Sequence, residues 1–163
     1  MTSAFKLLLL LMLVSADGST QVPAKKIPEF NFFKLDKSSF TNKDLQTGKM
    51  LFFIFFDCDC DHCQRAMQYL DKHNKEFQKT AIYLITLDDK EKISRFMSKY
   101  GNTLYTQKNV TILQDPKYDF MNKFRPRKYP ALFLYSEKKE LMLYEDNEQN
   151  LSGFSKQIST TSK

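Results

Sequence analysis

Apolar residues come in short blocks separated by polar, charged stretches. Met50 to Phe56 is an unbroken apolar run, of the length that suits a strand buried on both faces. Ala81 to Leu87 is a second run of the same kind. Between them Cys63, Ala66, Met67, Leu70 and Phe77 recur at helical spacing. Lys90 to Tyr100 reads as a helix with Ile93, Phe96 and Met97 on one face and Gly101 as its stop. Phe30 to Leu35 reads as an edge strand, Ser38 to Leu45 as a loop with a short turn, and Val110 to Leu113 as a short strand. Tyr118 to Phe124 reads as a short helix. Ala131 to Tyr135 and Glu140 to Tyr144 read as a hairpin turning at Glu137-Lys138-Lys139, and Asn150 to Ile158 as a last helix. Strands alternating with helices predict a parallel core with right-handed crossovers. The hairpin adds antiparallel strands. The expected class is α/β, a mixed central β-sheet flanked by helices on both faces.

The ends read differently. Leu7 to Val14 is a continuous apolar run preceded by Lys6 and followed by Ser15-Ala16, the pattern of a secretory signal peptide over residues 1–16. Eight apolar residues are too few for a spanning helix, which needs about 20. The expectation is export to the periplasm or another extracytoplasmic space, with no stable membrane insertion after cleavage. Residues 17–28 are polar with two prolines and read as a flexible leader. The domain is expected over 29–158, and residues 159–163 as a frayed tail.

Composition narrows the function. The chain has 163 residues, the size of one domain. Only 4 are glycine and no GxGxxG or GxxxxGK string occurs, which argues against a phosphate cradle. The formal net charge is +6, but the lysines are scattered among acids rather than gathered in a stripe, so no nucleic-acid partner is expected. The three cysteines, Cys58, Cys60 and Cys63, lie within six positions, so no disulfide ties distant parts together.

Those cysteines carry the chemistry. The first long strand is followed by Asp57-Cys58-Asp59-Cys60-Asp61-His62-Cys63, and a helix begins. A C-x-x-C at a helix start places Cys60 beside unpaired N–H groups and the positive end of the dipole, which favour a thiolate. That thiolate can attack a disulfide, and Cys63, one turn on, can resolve the mixed disulfide. His62 can stabilise a charged Cys60, whereas Asp57, Asp59 and Asp61 oppose it. The sequence leaves that balance open. Cys58 reads as a small buried side chain, or as a trap for a second mixed disulfide. A thiol-based metal site is the alternative, with copper(I) suited to three soft ligands. His73 is a poor fourth ligand, lying about 15 Å along the helix from Cys63 at 1.5 Å per residue.

The segment FFIFFDCDCDHCQ, the preceding LDKSSFTNKDLQTGKM and the later Lys128-Tyr129-Pro130-Ala131-Leu132-Phe133-Leu134 resemble the thioredoxin fold. More narrowly, they resemble the exported TlpA/ResA-like thiol–disulfide oxidoreductases of the redoxin or AhpC/TSA-like group. The resemblance covers about residues 29–158. It implies Cys60 as the attacking and Cys63 as the resolving cysteine. It also implies a cis Pro130 facing the motif, with the Tyr129 backbone lining a substrate groove. Two positions depart from the pattern: Asp59 stands where the family has tryptophan, and Ile54 where thioredoxin has a buried aspartate. If Pro130 faces the motif, Arg125, Arg127 and Lys128 are expected near the three aspartates.

The function expected is therefore disulfide exchange with protein thiols through Cys60-Asp61-His62-Cys63, with a redox partner protein and no cofactor or metal beyond the cysteine pair. A peroxiredoxin-like peroxidase is a further alternative on the same fold. Its Pro-x-x-x-Thr/Ser-x-x-Cys pattern is not found at Cys58, Cys60 or Cys63.

Overall fold

In a computed structural model of the chain, residues 21–161 are described. The expected signal peptide lies outside them. Seven strands form one mixed sheet: β1 (Asn31–Lys34), β2 (Ser39–Thr41), β3 (Met50–Phe55), β4 (Thr80–Thr86), β5 (Val110–Gln114), β6 (Ala131–Tyr135) and β7 (Leu141–Glu145). Their order is β2-β1-β5-β4-β3-β6-β7. β3, β4 and β5 run parallel, and the other pairings are antiparallel. The α-helices are α1 (Asp61–Lys72), α2 (Lys90–Tyr100), α3 (Asn102–Tyr105) and α4 (Leu151–Thr161).

β3 shows why its sequence is apolar throughout. Met50, Phe52, Ile54 and Phe56 point into one core, with residues of all four α-helices. Leu51, Phe53 and Phe55 point into another. Side chains alternate across a strand, so a central strand covered on both sides has no polar face. Helices do lie on both faces, but unequally. The second face is covered by one π-helical turn, Phe120–Phe124, and by the segment before β1. Stacked rings fill this thin layer: Phe120 and Phe124 lie 4.2 Å apart between centroids, and Phe55 lies 4.7 Å from Phe120. The buried Asp115 carboxylate caps the turn, accepting from the N–H groups of Asp119 and Phe120 at 2.9 and 2.7 Å.

Several boundaries differ from expectation. The leader is docked from Ala24 onward. Ala24 is buried, its N–H bonds Phe124 O at 2.9 Å, and its carbonyl accepts from the Tyr135 hydroxyl at 2.9 Å. Lys25 and Ile27 bond the backbone of Leu141 and Lys139. Ser38–Leu45 is not all loop, because Ser39–Thr41 pairs with β1 and becomes the sheet edge. The helix after the motif stops at Lys72, where the Asn74 side chain takes the Asp71 carbonyl. Phe77 reaches the core from a separate 3₁₀ turn, Asn74–Phe77. The expected Tyr118–Phe124 helix is the π-turn. α4 continues through Thr161, with Ser159, Thr160 and Thr161 hydroxyls bonded back to Lys156 and Gln157 carbonyls.

Candidate active site

Parallel strands β3 and β4 end side by side, and the loop after β3 carries the cysteines. Phe56 still bonds β4, its N–H reaching Ile85 O at 2.9 Å. A tight turn follows. The Asp57 side chain accepts from Asp59 N–H at 2.8 Å, and the Asp57 carbonyl from Cys60 N–H at 3.3 Å. Cys60 is the N-cap of α1, and its sulfur caps no backbone N–H. It is partly exposed, whereas Cys63, one turn on, is fully buried. The Asp57 N–H points at Cys63 Sγ, 3.5 Å away. Burial pushes the Cys63 thiol well above the ordinary range, and the neighbouring Cys60 adds to that. The three cysteines are unbridged.

Cys58 is buried on the α2 side of the loop. Its thiol, too, is pushed far up, by burial first and then by its hydrogen bond to Asp88. Asp88 follows β4 and gathers this corner. It accepts from Cys58 N–H at 2.9 Å, from the Thr86 hydroxyl at 3.0 Å and from Lys92 Nζ at 2.6 Å. Burial disfavours its charge, but these donors outweigh burial and hold its carboxyl below the usual range. Lys92 Nζ also reaches Asp59 at 2.7 Å, joining the motif loop to the start of α2. Asp59 and Asp88 together hold the Lys92 ammonium well above its ordinary pKa.

His62 faces the other way. Its Nδ1 lies 3.0 Å from both oxygens of Glu148, whose carboxylate also accepts from Arg65 Nε at 2.8 Å. Glu148 is buried in the turn Glu148–Asn150 before α4. Burial works against its charge, yet Arg65 and His62 hold its carboxyl below the usual range. Asp61 is exposed in the first turn of α1. The Tyr129–Pro130 bond is cis. Phe55 pairs with Ala131, so Pro130 stands level with Phe56, beside the motif loop. The Tyr129 ring lies 4.8 Å from Phe55, and its phenol is pushed up to about 12 by burial, then by Asp57 and Cys63.

Residues 23–143 match the AhpC/TSA family. The chain belongs to that family. No curated protein matches the sequence. Solved structures share its fold. A secreted disulfide oxidoreductase of Mycobacterium tuberculosis is 21% identical, with a TM-score of 0.64 over 79% of this chain and 96% of that one. A thiol-disulfide oxidoreductase of Bacteroides fragilis is 18% identical, with a TM-score of 0.66 over 82% and 99%. A thioredoxin-like protein of Aeropyrum pernix is 13% identical, with a TM-score of 0.65 over 80% and 89%. The thioredoxin-like fold is thus shared at low identity.

Within this AhpC/TSA chain the structure brings Cys60, Cys63, Asp57 and Tyr129 together, and Pro130 to the same edge. Among the described residues it pairs none of Arg125, Arg127 and Lys128 with the aspartates of the motif. Arg127 and Lys128 both reach Asp146, at 2.8 and 3.6 Å, and the Arg127 guanidinium also lies over the Tyr144 ring. The cation that pairs with a motif aspartate among the described residues is Lys92. His73 bonds Glu76 and stacks on Tyr69. Among the described residues no three of His, Cys, Asp and Glu are arranged to hold a metal ion. Asp88, Lys92, Arg65 and Glu148 were missed by sequence reasoning. The signal for the first two was topological: Leu87-Asp88-Asp89-Lys90-Glu91-Lys92 follows a strand parallel to β3, at the same sheet end as the cysteines. Nothing local marks Glu148, 86 residues from His62 in the chain.

Proposed function

We propose that this protein is a thiol–disulfide oxidoreductase that exchanges disulfides with protein thiols through Cys60 and Cys63. The observation that carries the reading is the pairing of a partly exposed Cys60 at the N-cap of α1 with a fully buried Cys63 one turn later. Such an asymmetric pair divides the labour. The Cys60 thiolate attacks a substrate disulfide; one S–S bond forms, one breaks, and a substrate sulfur leaves as thiolate. Cys63 then loses its proton and attacks Cys60 Sγ. The Cys60–Cys63 disulfide forms and the second substrate sulfur leaves, so two electrons pass to the substrate. The reverse sequence oxidises a dithiol. Helix-end N–H groups favour charge on Cys60, while burial keeps Cys63 protonated until the mixed disulfide exists. Asp57, whose N–H touches Cys63 Sγ, carries the carboxylate best placed by sequence and turn to take that proton.

In this reading Tyr129 and Pro130 line the substrate groove, a partner protein restores the cysteine pair, and no cofactor is needed. The N-terminal pattern supports export with cleavage after Ala16. The test is to trap the intermediate. Cys63→Ser is expected to hold a mixed disulfide with a protein substrate through Cys60, visible on a non-reducing gel and mapped by mass spectrometry, and Cys60→Ser is expected to hold none. In glutathione and dithiothreitol buffers the wild type is expected to form a reversible Cys60–Cys63 disulfide. A potential of about −120 to −180 mV marks an oxidant or isomerase, and about −270 mV a reductant. Three cysteines that stay reduced at every poise would overturn the reading.

A further inference from the structure

A groove of about 310 Å³ opens beside the motif, between the cysteine loop and one face of α2. Cys58, Asp59 and Gln64 line one side, and Lys92, Arg95 and Lys99 the other. It starts next to Cys60: Asp59 immediately precedes that cysteine, and Gln64 N–H bonds its carbonyl at 3.0 Å. Charge in the lining is lopsided, with three cations against the single carboxylate of Asp59. Lys92 is committed to Asp59 and Asp88. Arg95 is exposed, and its side chain has no hydrogen bond or ion pair among the described residues. Lys99 lies 4.9 Å from the Tyr100 ring centroid and has no carboxylate partner among them. Arg95 and Lys99 stand at i and i+4, where like charges oppose the helix. Two cations that have no carboxylate partner among the described residues, with Phe96 and Tyr100 beside them, therefore flank the approach to Cys60.

We propose that this groove docks an acidic stretch of the substrate polypeptide, next to the cysteine that meets Cys60. The inference rests on the exchange function above and adds a class of substrate to it. The acidic segment lies along α2 with carboxylates toward Arg95 and Lys99. Charge complementarity of this kind acts mainly through encounter rate and partner choice, and it weakens as salt screens it.

The test uses a disulfide-bridged peptide flanked by glutamates, and the same peptide flanked by glutamines. Exchange is followed with each, and binding is measured separately with cysteine-free versions of both. The wild type is expected to prefer the glutamate peptide by about tenfold at low salt, in rate and in binding, with the preference shrinking as salt rises. Arg95→Glu with Lys99→Glu is expected to abolish the preference, and Arg95→Gln with Lys99→Gln to reduce it. The matched reversal Lys75→Glu with Lys108→Glu, outside the groove, is expected to keep it. A wild type without preference, or a preference that survives in Arg95→Glu/Lys99→Glu, overturns the proposal. The two readings fail separately. Exchange without preference removes the docking groove alone, and preferential binding without exchange on either peptide removes the redox function alone.

Discussion

Replacing Lys92 with methionine isolates the electrostatics of an acidic motif. The ammonium bridges Asp88 at 2.6 Å and Asp59 at 2.7 Å, and methionine keeps much of the apolar stem while removing the charge. The two halves of the bridge are unequal, because the Asp59 side chain is 81% exposed and that of Asp88 only 13%. The Asp59 half is a surface pair worth about 0–1 kcal/mol. The Asp88 half is partly desolvated, so its loss falls between that and the ~3–5 kcal/mol of a fully buried broken pair. A total loss of about 1–3 kcal/mol follows.

The effect on reactivity has a definite sign. Lys92 bonds the residue before Cys60, so its positive charge stands beside the motif loop. A unit charge near a protein surface contributes on the order of 1 kcal/mol to a developing charge beside it. Lys92→Met is therefore expected to slow attack by Cys60 about two- to threefold. The assay is iodoacetamide alkylation of Cys60 across pH, read peptide by peptide by mass spectrometry, with Lys92→Arg as the charge-retaining control. A Cys60 alkylation rate that is unchanged or faster in Lys92→Met refutes the argument.

Three further outcomes follow from the same geometry. In the reduced wild type Cys60 is expected to alkylate first, and Cys63 and Cys58 only after unfolding, since burial holds both thiols far up; equal rates for all three would refute that. Glu148→Gln is expected to lower stability in urea by about 1–2 kcal/mol, because Arg65 and His62 lose a charged acceptor. Asp88 and Glu148 have carboxyls held below their unfolded values, so their stabilisation is present above about pH 4 and lost as pH falls through the folded midpoints. Asp115, raised by burial, works in the opposite sense and blunts that acid limb; an Asp88→Asn/Glu148→Gln variant is expected to show a shallower one in acid titration.

Much of this was legible in the chain, for identifiable reasons. Strands β3 and β4 and the helices after them announce themselves because continuous apolar runs and 3.6-residue periodicity are local signals. The cysteine pair and the cis Pro130 were legible from spacing and resemblance. What was not legible depends on distant partners. Ser39–Thr41 is a strand only because β1 lies beside it. Ala24 is ordered by Phe124 and Tyr135, far along the chain, though it sits in a polar, proline-bearing stretch. Arg127 and Lys128 were matched to the wrong acids because Asp146 comes from the neighbouring strand β7 region and meets them first.

The acidic motif then ceases to be a paradox. Asp57 spends an oxygen on the Asp59 N–H and so shapes the turn that sets Cys60 at the helix end. Asp59 is paired with Lys92, which it shares with Asp88. Asp61 sits in the first turn of α1, where a carboxylate suits the helix dipole. His62 is held by Glu148. Asp57, Asp59 and His62 thus each have a bonded partner in the turn or beside it. The position of thioredoxin's buried aspartate is filled by Ile54, inside the helical core. The acid beside Cys63 is instead Asp57, whose N–H points at Cys63 Sγ from the loop rather than the strand. In the proposed exchange, proton transfer at Cys63 is thereby tied to the conformation of the same turn that presents Cys60. Asp57→Asn keeps the turn's acceptor oxygen but removes the base. It is expected to slow resolution of the Cys60 mixed disulfide more than its formation. Equal slowing of both steps, measured by acid-quenched rapid mixing, would show that Asp57 acts on the turn alone.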